Sequence, residues 1–431
     1  MKPISFCIAS AVNEKEYTKL VIRSLRDHTD FSKHEVLIFI DSDNQNTYEE
    51  LLNLKKELPN LRICKNPNQK PIGSQRNVSV MFNAATNDIV CYLQSDMVVG
   101  MDFDKHINEN IDENTVLSCA RIEPPLHPSS PEKIVKDFGI TPEEFKYKEF
   151  VSFVGELQKE NRPNMVGHFA PFAIYKKTWF DKLGGFDTQF RSSREDSDTI
   201  IRMDMAGLKM IQSWNACVYH FTCVSSRGHD WYKTTEAAKY KNELQSLADQ
   251  QELKKFIRKW GFFGHHPRPM YNIAFSVEVD RYADFNFLKY IEPYCSKLYL
   301  SDGAVIKQLV DQLEFDTHYY NNLRWNYPFE YWQKYKYLFN APDFSTRVIF
   351  GKAESEDVII SFKYSELMSN FTSEVRSILE NANQIVDQNN LGVFSFGPLT
   401  IDIKAKRNIN QDKIRIKNID LLLTDQELLF T

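Results

Sequence analysis

Carboxylates in this chain gather where regular structure gives way to a turn. Asp41 and Asp43 close the apolar run in "IFIDSDNQNT", and Asp96 closes another in "CYLQSDMVVG". Glu195, Asp196 and Asp198 open the helical pattern "REDSDTIIRMDMAG", and His220 ends the strand-like "LKMIQSWNACVYHF". Oxygen ligands of this kind suit hard divalent cations. An ionised carboxylate at a helix start can also take a proton from a substrate hydroxyl. Each group has a plainer reading: acids at strand ends are commonly solvated, and acids in a first helical turn complement the macrodipole. The combination and its order along the chain carry the argument. One oddity stands inside it. Gln94 lies two residues before Asp96, where a second acid would complete a familiar metal site.

The elements that must position these groups can be read from periodicity. Over residues 1–120 strand and helix signals alternate. "ISFCIAS", "EVLIFIDSD", "LRICKN" and "DIVCYLQSD" read as strands. "EKEYTKLVIRSLRDH", "NTYEELLNLKKELP" and "GSQRNVSVMFNAAT" read as helices, the second started by Asn46 or Thr47 and stopped before Pro59. Such alternation predicts a mostly parallel sheet with helices on both faces. Ligands then bind beyond the carboxyl ends of the strands, where Asp41, Asp43 and Asp96 fall.

The Pro-punctuated, charged stretch 127–162 reads as a helical insertion over one face of the sheet, either a lid or a structural excursion. Ser192 and Ser193 have capping-box spacing to Glu195 and Asp196, and Gly207 would end that helix. Residues 235–260 are helical and charged, and "GFFGHHPRP" marks a domain junction. The expected division is 1–262 and 263–431. Within the second part "YNIAFSVEVD", "CSKLYLSDG" and "DVIISFKYS" are strand-like, "SELMSNFTSEVRSILENANQIVDQ" is one long helix, and "GVFSFGPLTIDIKAK" is a hairpin turning at Gly397–Pro398. Asp280 and Asp302 stand at strand ends there and read as solvated loop residues.

Length and composition bound the rest. The chain has 431 residues, 42% hydrophobic and 26% charged, the profile of an ordinary globular protein of two or three domains. A net charge of −5 gives no global argument for a nucleic-acid partner. No apolar run approaches a membrane span, and the N-terminus shows no secretory pattern. Seven scattered cysteines read as reduced core thiols of a cytoplasmic protein.

Residues 4–225 resemble the GT-A glycosyltransferases, in particular the inverting family 2. "SFCIASAVNEKEYTKLVIRSL" resembles the opening strand, loop and helix, and "IFIDSDNQNT" the nucleotide-binding acidic turn. "PIGSQRNVSVMFNAATNDIVCYLQSD" resembles the glycine, the Arg-Asn helix and the metal-site strand. "LGGFDTQFRSSREDSDTIIRMDMAGLKM" resembles the Gly-Gly-Phe-Asp turn followed by Glu-Asp, and it is the most specific match.

The resemblance implies an α/β GT-A fold with a C-terminal α/β accessory domain. It implies transfer of a sugar from a nucleotide-diphosphate donor (UDP-, GDP- or dTDP-sugar) to an acceptor hydroxyl on a glycan or glycoconjugate, with inversion, as in polysaccharide biosynthesis. Mn²⁺ or Mg²⁺ would be held by Asp96, with a nitrogen from His220. The donor would meet Ala9, Asn13, Asp41, Asp43, Arg76, Gln94 and Ser95. Asp196 would be the general base, with Glu195 beside it, while Asp198 and Arg202 would pair on one helical face.

Gln94 departs from the family's Asp-x-Asp. It can hydrogen-bond a ribose hydroxyl or a metal-bound water but brings no charge, which implies weaker metal affinity. The alternative reading is a catalytically degenerate domain acting as a carbohydrate-binding or assembly protein. The intact Glu195–Asp196 pair argues against it. A nucleotidyltransferase would need a Gly-rich phosphate loop after the first strand, and "ASAVNEKEY" has no glycine. A homo-oligomer is compatible with all of these readings.

Overall fold

The computed structural model describes residues 1–67, 73–167, 170–190, 193–222, 224, 236–264, 267–323, 344–416 and 430. Two compact units emerge. The first comprises 1–191, 195–233 and 414–431; the second comprises 192–194 and 234–413. The boundary at 233/234 lies N-terminal to the 262/263 expected from the sequence, and residues 414–431 group with the first unit.

In the first unit, β1 (Ile4–Ser10), β2 (Glu35–Ile40), β3 (Leu61–Lys65) and β4 (Ile89–Gln94) run parallel in the order β3-β2-β1-β4. β2 is buried along its whole length and β1 nearly so. Burial on both faces explains why these strands read as unbroken apolar runs instead of alternating ones. The covering helices are α1 (Lys15–His28), α2 (Thr47–Lys55) and α3 (Ser74–Ala84). Tyr17, Val21 and Leu25 of α1, spaced four apart, are all buried.

The sheet then turns mixed. After β5 (Met97–Val99) and α4 (Phe103–Asn110) come β6 (Thr115–Glu123) and β7 (Lys133–Val135), which pair in parallel. α5 (Tyr147–Lys159) follows, and β8 (Phe172–Tyr175) runs antiparallel to both β4 and β6. β8 leads into the one-turn helix α6 (Lys176–Thr178) and then into α7 (Glu195–Met205) and β9 (Lys209–His220). β9 lies parallel to β6 and antiparallel to β5.

The 127–162 stretch is a packed part of the fold. Phe138, Phe150, Val154 and Leu157 form one core with Tyr219 and Phe221. The Tyr219 hydroxyl donates to the carbonyl of Gly139 at 2.7 Å and accepts from the amide of Phe138 at 3.1 Å.

The second unit has its own sheet and core. Helix α8 (Glu236–Trp260) precedes β10 (Ile273–Glu278), α9 (Phe285–Ile291), β11 (Lys297–Leu300) and α10 (Gly303–Leu323). β12 (Val348–Phe350), β13 (Val358–Lys363), β14 (Gly392–Phe396) and β15 (Leu399–Ile403) complete the order β12-β11-β10-β13-β15-β14. The first four of that order are parallel and the last two antiparallel. The hairpin turns at Gly397, whose φ is +56°. The long helix expected over 365–388 is instead three short ones, Tyr364–Ser369, Ser373–Glu380 and Ala382–Gln388. The break has a local cause: the Thr372 hydroxyl accepts the Val375 amide at 3.3 Å and starts a new helix there.

Candidate active site

The carboxyl ends of β1, β2 and β4 form one edge of the first unit. Ala9 sits beside Gln94 in register between β1 and β4. Asn13, at φ +65°, exchanges bonds with Asn44: its amide donates to Asn44 Oδ1 at 3.0 Å, and Asn44 Nδ2 donates to Asn13 Oδ1 at 2.8 Å. Those bonds tie the loop after β1 to the loop after β2.

Asp41 is buried and accepts the amide of Gly73 at 3.0 Å and Nδ2 of Asn66 at 2.9 Å. Gly73 has φ +92°, a conformation glycine adopts without strain, and it delivers its N–H there just before α3. Arg76, on the first turn of α3, is buried.

Asp43 caps α2. It accepts amides from Gln45 and Thr47 at 3.0 Å and from Tyr48 at 3.1 Å. Burial works to raise its carboxyl, but the amides of Thr47, Tyr48 and Gln45 outweigh it and hold the pKa at about 2. The expected starters Asn46 and Thr47 make no side-chain cap; Asn46 flanks the helix in a left-handed conformation.

The far end of β4 carries the opening oddity. Gln94 is hydrogen-bonded to the Tyr92 hydroxyl. Burial pushes the Tyr92 phenol up, and the charges of Asp196, Glu195 and Asp96 push the same way. Tyr92 therefore lies within electrostatic reach of three of the acids that the sequence assigned to chemistry. Ser95 donates to Glu14 Oε2 at 2.6 Å, and the same oxygen accepts the Ala11 amide at 2.7 Å. Glu14, buried and not anticipated as part of the site, thus links the β1 loop to the β4 turn.

Asp96 and His220 come together because β5 pairs antiparallel with β9, setting Met97 opposite His220. The aim of His220 depends on an irregularity. The β6–β9 register passes from Cys119 opposite Ser213 to Ala120 opposite Cys217, looping out Trp214, Asn215 and Ala216. An odd shift exchanges the faces of every later side chain in β9. His220 Nε2 then lies 3.6 Å from Asp96 Oδ2, while Nδ1 lies 2.9 Å from Glu123 Oε1. Burial opposes ionisation of Glu123, but His220, Arg121 and Lys133 outweigh it and set its pKa at about 2. Glu123 is the second residue missed from the sequence; a lone acid ending "LSCARIE" gives no signal without the pairing of β6 with β9.

Glu195 and Asp196 begin α7. Asp196 is exposed and lines a small apolar cavity with Phe172, Phe186, Met203 and Met210. Asp198 and Arg202 pair at 2.8 Å with both side chains buried, and Arg202 also donates to the carbonyls of Leu183 and Gly185. That pair secures the Gly184–Gly185 turn to α7. Gly184 has φ +67°, and a Cβ there would meet the Ile416 carbonyl oxygen at 2.2 Å. Of the two expected capping serines, Ser192 lies outside the described residues, and the Ser193 amide donates to Glu252 at 2.9 Å.

No group of three or more His, Cys, Asp or Glu side chains converges in a metal-binding arrangement among the described residues. Asp96 and His220 are the side chains whose chemistry would suit a divalent cation. One imidazole nitrogen is held by a carboxylate and the other faces Asp96, the arrangement that orients metal-bound histidines.

Residues 6–184 match the family model "Glycosyl transferase family 2". Over these residues the chain is similar to glycosyltransferase family 2. Within the match lie Ala9, Asn13, Asp41, Asp43, Arg76 and the 94–96 turn; Glu195, Asp196 and His220 follow it.

Distant structural likenesses accompany this match. GalNAc-T7 crystallised with UDP, GalNAc and Mn²⁺ aligns at 15% identity and a TM-score of 0.39, covering 51% of this chain and 44% of that one. The mannosyltransferase PcManGT from Pyrobaculum calidifontis, in complex with GDP-Man and Mn²⁺, aligns at 14% identity and 0.37, covering 58% and 64%. S. aureus TarS 1-349 in complex with UDP aligns at 13% identity and 0.38, covering 61% and 79%. The chain spans less than two thirds of the length of the first two. No curated protein matches significantly in sequence. Among the described residues no helix is long and apolar enough to cross a membrane.

Proposed function

We propose that this chain transfers a sugar from a nucleotide-diphosphate donor to an acceptor hydroxyl, with inversion. The observation that carries the reading is the convergence around Tyr92. His220 stands 3.6 Å from Asp96, the exposed carboxylate of Asp196 opens α7, and the charges of both acids reach the Tyr92 phenol.

The donor lies along the carboxyl ends of β1, β2 and β4. Asp41 and Asp43 support its base and ribose edge through the loops they tie down, and Arg76 faces the acidic edge or a phosphate. Gln94 and Ser95 hydrogen-bond the donor without adding charge. Asp96 and His220 would hold Mn²⁺ or Mg²⁺, which would neutralise the charge that builds on the departing diphosphate. Asp196 takes the proton of the acceptor hydroxyl as its oxygen forms the bond to the anomeric carbon, and the bond to the diphosphate breaks. Glu195 orients the acceptor. Attack from the face opposite the leaving group gives inversion.

Two measurements test this. A thermal-shift panel of UDP-, GDP-, dTDP- and CMP-sugars, with and without Mn²⁺, identifies the donor class. A ligand at 100 times its dissociation constant adds about 2.7 kcal/mol. Asp196→Asn keeps the size and loses the basicity, so turnover falls by roughly 10²–10⁴-fold while donor affinity stays within a few-fold. Near-normal turnover in that variant removes Asp196 as the base.

A further inference from the structure

We infer that Lys133 on β7 is a positioning residue for His220 and acts through Glu123. The inference rests on the reading of His220 as a metal ligand. Every residue concerned belongs to the first unit. The carboxyl end of β6 runs between β7 on one side and β9 on the other. Glu123 is the last residue of β6, one position beyond the Ile122–Tyr219 pair, and so comes beside His220, the last residue of β9. Lys133 opens β7 opposite Arg121. Arg121 and Glu123, two apart on one strand, share a face. A buried carboxylate is thus gripped from both neighbouring strands. Lys133 Nζ lies 2.7 Å from Glu123 Oε2, while Oε1 has the Arg121 guanidinium at 3.2 Å and His220 Nδ1 at 2.9 Å.

The Lys133 side chain is only 6% exposed. A lysine is rarely buried unless it is paired, because its charge must leave water. Arg121 and Lys133 also stand directly opposite each other, like charges that repel, and Glu123 offsets both. Between two cations the carboxylate acts as an acceptor. His220 then presents its N–H at Nδ1, which leaves Nε2 of the neutral ring with a bare lone pair. Nε2 is the atom 3.6 Å from Asp96 Oδ2. A ring lone pair set against a carboxylate oxygen is a pair of acceptors that a divalent cation would join. Without Lys133, Oε2 loses that partner, and the carboxylate that sets the tautomer and angle of the imidazole is less firmly held. β7, part of the 127–162 stretch, therefore bears on the site without supplying a ligand. The strand itself does not depend on the lysine charge. Gln212 Nε2 donates to the Glu132 carbonyl at 2.9 Å, and the Lys136 amide donates to the Glu123 carbonyl at 2.9 Å.

The test uses the full chain with isotope-labelled histidine, as wild type, Lys133→Met, Lys133→Arg and Glu123→Ala. Long-range proton–nitrogen spectra read the His220 tautomer at about pH 9, well above the ordinary imidazole value of about 6.5. His220→Gln assigns the signal. Mn²⁺ alone is then titrated in, and broadening of the His220 signal gives its affinity. Expected are one Nδ1–H tautomer in the wild type, a mixture in Lys133→Met and recovery in Lys133→Arg. Mn²⁺ affinity falls about 10–100-fold in Glu123→Ala, with Lys133→Met between it and the wild type. A wild-type ring protonated at Nε2 overturns the inference, and so does a Lys133→Met tautomer identical to that of the wild type. Should Glu123→Ala fail to fold by circular dichroism, the two lysine variants decide the matter. A tautomer that responds to Lys133→Met in a protein that Mn²⁺ does not broaden removes the metal reading and leaves the positioning role standing.

Discussion

Removing Arg202 should destabilise the first unit more than any surface charge could. Arg202 and Asp198 pair at 2.8 Å, and their side chains are 0% and 1% exposed. The guanidinium also donates to Gly185 O at 2.8 Å, to Leu183 O at 3.1 Å and to Thr199 Oγ1 at 3.4 Å. Arg202→Met fills similar volume but takes away the charge that Asp198 faces and the donors that two turn carbonyls use. Breaking a buried pair from one side costs about 3–5 kcal/mol, whereas an exposed pair is worth about 0–1 kcal/mol. Set against a typical total of roughly 5–15 kcal/mol, the loss consumes much of the unit's stability. Urea denaturation of the full chain followed by circular dichroism measures it. The double variant Asp198→Asn/Arg202→Met removes the buried charge as well and should recover at least about 1 kcal/mol. A loss below about 1 kcal/mol in Arg202→Met, the range of an exposed pair, would refute the reasoning, and so would a double variant no more stable than the single.

Two further outcomes follow from the site. Asp96→Ala should abolish the strengthening of donor binding by Mn²⁺, read by calorimetry with and without EDTA; equal donor affinity in EDTA and Mn²⁺ for the wild type would remove the metal role. Asp43→Ala should cost about 1 kcal/mol at neutral pH, as lost caps do. Because the Asp43 carboxyl is depressed from 3.8 to about 2, its contribution is fully present above pH 3.8 and fades as pH falls toward 2. The gap between wild type and Asp43→Ala should therefore narrow over that window, and a constant gap would mean that the charge plays no part in the cap.

What the sequence made legible was whatever depended on local pattern. The strand–helix alternation through β4, the helix at 195, Gly207 at its end and the hairpin at Gly397 all follow from periodicity and turn chemistry. What it hid depended on register. Nothing in "FAIY" says that β8 inserts antiparallel between β4 and β6, since a buried run of four residues has no periodicity to read. Glu123 became part of the site only through the looped-out residues of β9, and Glu14 only through the fold of the β1 loop. Asp43 shows a subtler limit. An acid after a strand looks the same whether it faces a ligand or three amides of the next helix, and only loop geometry separates the two.

The chain's route through its two units bears on synthesis. It leaves the first unit at 233/234 and returns at 414. There Ile414 joins the core around Trp179, and the Ile416 amide donates to the Leu183 carbonyl at 2.9 Å. The second unit is thus an insertion in the chain of the first. A ribosome must deliver all of residues 234–413 before the segment that seats against the Gly184 turn has emerged. Until then the turn leading to Asp196 lacks its backing, while the inserted unit has its whole sheet available. The inserted unit can therefore fold while the first unit still waits for the segment beginning at Ile414, and the order in which the two mature is written into the path of the backbone.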